Sequence, residues 1–250
     1  MIPELSGLLK NAIMQTLDDR VAVAFSGGID SSLIAHIAKQ HSEVGLFTCG
    51  TEKSEDMFYA EQAAKLLKLP LDKSIINEEE IIATYEKCYN TVPNDLLKVE
   101  LLVPVWKVAE AAKKQEHKIL LFGSGSEELF VGYERYYTYN AEGKDLDELL
   151  QKEFETLRER EISWVKKVCY KLGIEARFPF YNKELADYVF RIPLEMRMED
   201  KELKKGLLRE AAKMLGLPEL MRTRKKRAMQ YGSGVHKILL KNSDKLNSSK

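Results

Sequence analysis

A serine- and glycine-rich turn follows an apolar run near the start of the chain and has the residue types that bind phosphate. Residues 21–25 (Val-Ala-Val-Ala-Phe) have the composition of a buried strand, and residues 26–32 (Ser-Gly-Gly-Ile-Asp-Ser-Ser) come directly after them. From Ile29 onward the apolar spacing is that of a helix. Backbone N–H groups between a strand and a helix N-terminus point at an anion, and the helix dipole favours negative charge there. The pattern therefore indicates a phosphate cradle at Gly27 and Gly28.

Asp30 is the unexpected member of this turn, because a carboxylate beside bound phosphates requires a cation between them. Mg²⁺ shared by Asp30 and phosphate oxygens meets that requirement. The hydroxyls of Ser26 and Ser31 add hydrogen-bond donors. The turn lacks the Gly-Lys-Ser/Thr of the common P-loop and does not have the pattern Gly-x-Gly-x-x-Gly. An ordinary tight turn needs only the two glycines, so the whole motif favours nucleotide binding.

A second glycine turn follows a later apolar run. Residues 118–122 predict a buried strand, and residues 123–133 (Gly-Ser-Gly-Ser-Glu-Glu-Leu-Phe-Val-Gly-Tyr) come after it. Since the carboxyl ends of parallel strands meet at one edge of a sheet, we expect this turn beside the first. Adjacent acids point in different directions on a helix, so one of Glu127 and Glu128 is expected to reach the site. It would be a second Mg²⁺ ligand or an orienting carboxylate, although acids are also common at solvated helix N-termini.

A basic run precedes a third glycine-containing segment. Five of the six residues in 222–227 (Arg-Thr-Arg-Lys-Lys-Arg) are basic, and residues 231–234 are Tyr-Gly-Ser-Gly. A solvated loop, a nucleic-acid patch and a cluster of cations on ATP phosphates all fit this composition. The glycine turn just after the run, and the negative charge that bound phosphates carry, favour the last. A net charge of zero, from 39 basic and 39 acidic residues, disfavours nucleic acid.

The elements that must position these turns alternate between strands and helices. Strands at 21–25, 44–49 and 71–76 are each followed by a helical pattern, and this βαβαβα order predicts a parallel sheet with right-handed crossovers. Asn77 and Glu80 have the spacing of a capping box. Pro104 predicts two helices or a kink within 96–115. Helices are expected at 5–17, 29–40, 55–67, 77–89, 96–115, 145–161, 163–172, 183–190 and 201–215.

Composition places the chain among globular proteins. Its 250 residues are 44% hydrophobic and 31% charged, which is enough for one α/β domain, expected over 1–240 with a disordered tail over 241–250. No apolar run is long enough to span a membrane, and the N-terminus lacks a signal-peptide pattern. Cys49, Cys88 and Cys169 are isolated, which argues against structural zinc and predicts a reduced, cytoplasmic protein.

Several motifs together resemble one enzyme family. Residues 26–32 resemble the pyrophosphate loop of the ATP-pyrophosphatase (PP-loop) superfamily, whose members cleave ATP to AMP and pyrophosphate. Four further segments resemble, in order, the motifs of the synthetase domain of asparagine synthetases. They are the second glycine turn, residues 175–182, residues 205–209, and residues 224–226 followed by 232–234. The resemblance implies a HUP-like adenine nucleotide alpha-hydrolase fold with a mostly helical C-terminal part, and implies ATP and Mg²⁺ as cofactors.

The resemblance also implies roles for individual residues. Asp30 and Glu127 would hold Mg²⁺ and act in catalysis. Lys226 would stabilise charge on the adenylate and pyrophosphate and would complete the catalytic set. The further ATP contacts that it implies are Ala24, Phe25, Ser26, Gly27, Gly28, Ser31, Cys49, Phe122, Gly123 and Arg224.

By this resemblance the chain is a ligase that adenylates a carboxylate and then forms an amide, with asparagine synthase, which joins aspartate and ammonia, as the nearest example. Three positions depart from the family pattern: Ser124 replaces a glutamate, Glu127 an aspartate and Asn182 an aspartate. The departures fall mostly in the substrate half of the site. Adenylation is therefore better supported than aspartate as the acceptor.

Other interpretations share the nucleotide site and differ in the acceptor. The chain could be a PP-loop protein with another acceptor, including one that adenylates tRNA, or a partner subunit of a separate glutaminase. The sequence begins without a cysteine-nucleophile glutaminase domain, so we expect free ammonia, a separate glutaminase or no ammonia. A homodimer is left open. Nucleic acid and membrane are disfavoured as partners.

Overall fold

One parallel sheet organises the chain. The structure, a computed structural model, describes residues 1–224 and 232–242. Its strands are β1 (Arg20–Ala24), β2 (Glu43–Gly50), β3 (Leu71–Ile75), β4 (Ile119–Leu121) and β5 (Glu175–Arg177). They are all parallel, in the order β3-β2-β1-β4-β5, which confirms the predicted parallel α/β fold. Because the order reverses between β1 and β4, a ligand is expected outside the carboxyl ends of these two strands.

Helices connect the strands, and every regular element described after β5 is a helix, as predicted for the C-terminal part. The described helices are α1 (Ile2–Met14), α2 (Ile29–Ala38), α3 (Glu55–Leu67), α4 (Glu78–Thr91), α5 (Leu96–Glu100), α6 (Leu102–Lys114), α7 (Ser126–Leu129), α8 (Glu134–Ala141), α9 (Leu146–Thr156), α10 (Glu161–Lys171), α11 (Lys183–Val189), α12 (Leu194–Arg197), α13 (Gly206–Met214), α14 (Glu219–Thr223) and α15 (Val235–Lys241).

The hydrophobic core surrounds β1. Val21 and Val23 of β1, Leu33 of α2 and Leu120 of β4 have no exposed surface. An apolar run of this kind is typical of a parallel strand that is covered on both faces. The carboxyl ends of β1 and β4 therefore emerge from a rigid core, which fixes the two glycine turns that follow them.

Two local signals in the sequence predict the start and division of helices correctly. Asn77 caps α4: its Oδ1 accepts from the Glu80 N–H at 2.9 Å, and Glu80 Oε2 accepts from the Asn77 N–H at 3.0 Å. For the segment 96–115 the sequence predicts either two helices or one kinked helix, and the structure has two helices. The break is at Leu101, and Pro104 lies in the first turn of α6, where a missing N–H costs no helical hydrogen bond.

The helix predicted over 145–161 is wrong at its C-terminal end. Helix α9 stops at Thr156, and Glu161 is instead the first residue of α10. The sequence gives no signal for the boundary between α9 and α10, because the amphipathic pattern continues through both helices and neither glycine nor proline separates them. The correction moves Glu161 from the end of one helix to the N-terminus of the next.

The helix predicted over 201–215 begins five residues late, at Gly206. Asp200 Oδ1 accepts from the Leu203 N–H at 2.8 Å, and this local bond competes with helix formation. Lys204 and Lys205 have φ of +59° and +56°, in the left-handed region. This backbone directs the Lys205 side chain inward, with consequences for the site described below.

The short strand β5 was not predicted. It has three residues, too few to show a period of two, and pairs with β4 through Ile119 and Glu175. The Arg177 guanidinium of β5 pairs with Glu175, with N–O distances of 2.7 and 3.0 Å, and its Nη1 also donates to the Thr16 carbonyl.

The last described residues belong to ordered structure. Lys241 ends α15, and the Asn242 side chain donates to Glu78 Oε1 at 3.0 Å. The rest of the tail predicted at 241–250 lies outside the described residues. No helix in the described part of the chain combines the length and the apolar character that a membrane crossing needs.

Candidate active site

The first glycine turn connects β1 to α2 at the carboxyl edge of the sheet. The Gly28 N–H donates to Ser26 Oγ, and the Ser26 N–H donates to Ser31 Oγ, both at 3.3 Å. Gly28 is the N-cap of α2. Two serine hydroxyls therefore fix the shape of the loop through hydrogen bonds within it. The N-terminus of α2, which is the positive end of the helix dipole, lies beside the cavity.

Both the backbone conformation and the available space require glycine at position 27. The φ of Gly27 is +71°, and a Cβ there would lie 2.6 Å from the Tyr59 carbonyl oxygen.

We expect Gly27→Ala to lower the free energy of unfolding by about 2 kcal/mol or more, because backbone atoms must move. Urea denaturation tests this. The control is Gly7→Ala in α1, where nothing lies within 4 Å, and the expected change is a gain of about 0.5–1 kcal/mol. Equal effects at the two glycines would contradict the steric argument.

The second glycine turn connects β4 to α7 and lies beside the first. Glu127 lines the cavity and Glu128 does not, so one acid of the pair reaches it, as expected. Gly132 leaves the room that Glu127 needs, because a Cβ there would collide with Glu127 Oε2 and Lys205 Cε. The turn thus delivers one carboxylate next to α2.

Lys205 joins the two turns. Its Nζ lies 2.8 Å from both Asp30 carboxylate oxygens, 2.7 Å from Glu127 Oε1 and 2.9 Å from Ser126 Oγ. The side chain is 1% exposed. Burial lowers the pKa of this ammonium, but the charges of Asp30 and Glu127 outweigh burial, and the pKa lies above its usual value. Lys205 is therefore a buried permanent cation between the two acids that the sequence assigned to Mg²⁺.

The donor set of this cluster fits a cation shared with phosphate. Asp30 and Glu127 converge on one positive charge already, so their oxygens are arranged for cation binding. Among the described residues no group of three or more His, Cys, Asp or Glu could hold a metal. Mg²⁺ usually takes one or two carboxylates and completes its shell with phosphate oxygens and water. Two carboxylates at the phosphate loop match that pattern.

A cavity of about 370 Å³ opens next to this cluster. Its wall on the side of β2 and α6 is apolar and includes Phe47, Leu102 and Val105. Burial raises the pKa of the Cys49 thiol to about 12, so Cys49 contributes a neutral surface. The predicted site residues that line this cavity are Ala24, Phe25, Ser26, Asp30, Ser31, Cys49, Phe122, Gly123 and Glu127.

Three of the predicted site residues lie elsewhere. Gly27 and Gly28 form the loop beside the cavity without lining it. Arg224 lies behind the loop: it donates to the Ser26 carbonyl and to Asp56, and its guanidinium lies 4.3 Å from the centre of the Tyr59 ring. The structure thus gives Arg224 protein partners that brace the loop.

The basic run is described in part only. Arg222 donates to the Leu217 carbonyl at 2.9 Å. Lys226, predicted to act on the departing pyrophosphate, lies outside the described residues, as does the rest of 225–231.

The far wall of the cavity carries groups that the sequence did not connect. The Ser124 hydroxyl donates to Glu161 Oε1 at 2.6 Å. The Arg135 guanidinium lies 4.5 Å from the Tyr133 ring centre and forms an ion pair with Glu153. Burial, with Glu127 and Glu161 nearby, raises the pKa of Tyr133 well above its usual value, so its hydroxyl stays protonated.

Sequence reasoning missed three groups: Lys205 at the junction of the two turns, and the cavity-lining acids Glu161 and Asp56. A signal for Lys205 was present, since it begins the motif Lys-Gly-Leu-Leu-Arg at 205–209. No local pattern marks Glu161 or Asp56, because each reaches the cavity from a helix N-terminus distant in sequence from the loops.

Comparison with known proteins supplies the family. The asparagine synthase family profile matches residues 4–168 and 139–248. The chain belongs to the asparagine synthase family. A protein of Methanocaldococcus jannaschii named as a glutamine-hydrolyzing asparagine synthetase is 33% identical over 97% of this chain and 51% of its own length. The glutamine-hydrolyzing asparagine synthetase of Mesocricetus auratus is 30% identical over 81% of this chain and 38% of its own length.

This member of the asparagine synthase family therefore spans about half, or less, of the length of these curated relatives. Among solved structures, the NMN synthetase of Francisella tularensis is 13% identical, with a TM-score of 0.49, over 92% of this chain and 75% of that one. Family membership accounts for the order of the sequence motifs along the chain.

Proposed function

We propose that this protein is an AMP-forming ligase that adenylates a carboxylic acid and then forms an amide. In the first step a carboxylate oxygen attacks the α-phosphorus of ATP, the bond to the bridging oxygen breaks, and pyrophosphate leaves. In the second step ammonia attacks the acyl carbon, the acyl–oxygen bond breaks, AMP leaves with the electron pair, and nitrogen loses a proton. Aspartate is the nearest candidate acid by family.

The observation that carries this proposal is the cluster of Asp30, Glu127 and Lys205 where two glycine turns meet. Gly27 and Gly28 would present N–H groups to the phosphates, with the dipole of α2 behind them. Asp30 and Glu127 would hold Mg²⁺, which supplies charge neutralisation to the phosphates. The Lys205 ammonium would keep these two carboxylates in position at the junction of the turns.

Lys226 completes the proposed catalytic set by family resemblance. It is the cation we assign to the pyrophosphate, since a leaving group with several negative charges needs neutralisation as the bond breaks. The apolar wall near Cys49 and Phe122 would contact adenine and ribose. Arg224 acts as a positioning residue through Ser26 and Asp56 rather than on ATP itself.

The nitrogen donor is ammonia, and a glutaminase is the proposed partner that would release it. The names of the relatives, which describe glutamine-hydrolyzing enzymes, support this partner. The described chain contains three free cysteines, all buried, which fits the reducing cytoplasm.

One family departure is structural in origin. Asn182 accepts from the Leu185 N–H at 3.0 Å as the N-cap of α11, and its amide donates to Gln15 at 2.9 Å. It does not line the cavity. Aspartate and asparagine are about equally good N-caps, so the replacement at 182 does not argue against the family's substrate.

Pyrophosphate exchange tests the proposed function. We expect labelled pyrophosphate to enter ATP when one carboxylic acid from a panel of amino acids and dicarboxylic acids is present with MgATP, because adenylation is reversible before amide formation. AMP formation is then expected to require ammonia as well. ATP binding without exchange for any acid would contradict the ligase and favour a nucleotide-binding partner subunit.

A further inference from the structure

Three of the four carboxylates that line the cavity form ion pairs with described lysine or arginine side chains. Asp30 and Glu127 share the Lys205 ammonium, with shortest N–O distances of 2.8 and 2.7 Å. Asp56 forms an ion pair with Arg224 in which both side chains are 4% exposed. These three acids and two cations together leave one negative charge, which lies where the two glycine turns meet.

Glu161 is the fourth carboxylate, and its environment differs. It is half-buried at the start of α10, and its Oε1 accepts from the Ser124 hydroxyl at 2.6 Å. No lysine or arginine of the described chain forms an ion pair with it. Ser124 follows β4 and is held by the sheet, so its hydrogen bond fixes the Glu161 carboxylate in position without neutralising it. Oε2 remains available to a ligand.

The surroundings of Glu161 favour an organic cation as its ligand. Trp164 and Val165 present largely apolar surface to the same cavity. A carboxylate beside apolar surface attracts an ammonium group, because few water molecules compete with it there. Arg135 lines the same cavity, and its Nη2 is paired with Glu153 at 2.6 Å. Glu161 therefore differs from the other charged groups named here in having no ion pair among the described residues.

We propose that Glu161, positioned by Ser124, binds the ammonium group of the acceptor and makes the enzyme select an amino acid over the corresponding simple carboxylic acid. This inference rests on the proposed function, since it concerns the acid that is adenylated. It assigns selectivity to α10 and to the residue after Gly123, outside the phosphate-binding turns. It also gives Ser124 a role. The Ser124 side chain carries no carboxylate, but its hydroxyl holds the carboxylate of Glu161 in position.

Pairs of acids that differ only in the ammonium group provide the test. In pyrophosphate exchange, the wild-type kcat/KM is expected to be about ten- to a hundredfold higher for L-aspartate than for succinate, or for L-glutamate than for glutarate, whichever pair is active. Glu161→Gln is expected to remove this preference, mainly by raising KM for the amino acid, and to leave the dicarboxylate unchanged. Ser124→Ala is expected to reduce the preference in part.

Glu159→Gln is the matched control, because Glu159 is exposed two residues away and does not line the cavity. It is expected to keep the preference, and both glutamate variants are expected to bind ATP as the wild type does. Should Glu161→Gln lose ATP binding, Ser124→Ala carries the test.

Three outcomes would overturn the inference. One is a wild type without the preference, and another is a Glu161→Gln variant that keeps it. The third is a rise in KM confined to ammonia, which would assign Glu161 to the nitrogen source. Exchange in any of these cases would leave the proposed function standing. No exchange with any acid would overturn the proposed function, and this inference with it.

Discussion

Replacing Lys205 with methionine is expected to lower the free energy of unfolding by about 3–5 kcal/mol in the absence of nucleotide, because two acids lose the cation that they share. The ammonium lies within 2.8 Å of both Asp30 and Glu127 and is 1% exposed. Methionine keeps most of the length and apolar volume of lysine. The change therefore removes charge and hydrogen bonds more than packing.

The pH dependence of this effect follows from the raised pKa of Lys205. A group whose pKa is higher in the folded state contributes stability below its unfolded pKa and loses it as pH rises past the folded value. For a lysine that loss begins only in strongly alkaline solution. Near neutral pH the difference between wild type and Lys205→Met should therefore stay constant, and it should shrink only at strongly alkaline pH.

Lys204→Met is the matched control. Lys204 has the same left-handed backbone and pairs with Glu134, whose side chain is 80% exposed. The Lys204 side chain itself is 17% exposed, but water screens its exposed partner, and such a pair contributes about 0–1 kcal/mol. The control should therefore unfold nearly as the wild type does. Urea denaturation measures both variants. We further expect MgCl₂ to stabilise Lys205→Met more than the wild type, because Mg²⁺ can neutralise the two carboxylates that have lost the ammonium. Equal stability of the two variants would show that Lys205 is not the cation that joins the turns.

The phosphate loop was predictable because its signals are local. Glycines at 27 and 28 between a buried strand and a helix leave few other conformations, and Asp30 must follow on the first turn of that helix. The parallel sheet was predictable for a related reason: alternating strands and helices allow few other arrangements. Both predictions depend on residues that are close in sequence.

Lys205 could not be placed in this way. Residues 201–215 have the composition of a helix, and only the Asp200 side chain, by bonding to Leu203, delays its start. The acids that hold Lys205 are 175 and 78 residues away in the chain. The burial of a lysine is favourable only when those acids are present. The position of the lysine is therefore a tertiary effect that no local pattern encodes.

The far wall of the cavity shows the same limit. The family motif has a glutamate where this chain has Ser124, so the motif alone indicates that an acid is missing. In the structure Glu161 of α10 places a carboxylate oxygen 2.6 Å from the Ser124 hydroxyl. The sequence placed Glu161 at the end of the preceding helix, where it would have had no relation to the site. The carboxylate of Glu161 comes from a different helix, so a comparison confined to the motif around Ser124 does not reveal it.

Asp30→Asn is expected to lower the rate of pyrophosphate exchange about 100- to 1000-fold, the usual effect of removing one group that stabilises charge in a transition state. Asparagine has nearly the same shape and can still accept from Lys205 through its carbonyl oxygen. It lacks the negative charge that Mg²⁺ requires from a ligand. The fold should therefore persist while the cation site is weakened.

Two measurements separate this effect from a structural one. The concentration of Mg²⁺ that gives half-maximal exchange should rise in Asp30→Asn, and urea denaturation should show a stable protein. Asp187→Asn is the control, because Asp187 pairs with the exposed Lys183 on α11 and does not line the cavity. It should exchange pyrophosphate at the wild-type rate. A wild-type rate in Asp30→Asn would show that Asp30 does not act on the phosphates.

The two variants should also interact, because Asp30 and Lys205 touch. Lys205→Met in the wild-type background leaves two negative charges close together, whereas in the Asp30→Asn background it leaves one. The loss of stability caused by Lys205→Met should therefore be smaller in the double variant, with an interaction energy of about 0.5–3 kcal/mol, as found for residues in direct contact. Additive losses would mean that the buried cation is held mainly by Glu127, and the phosphate loop would then be free of Lys205 when ATP binds.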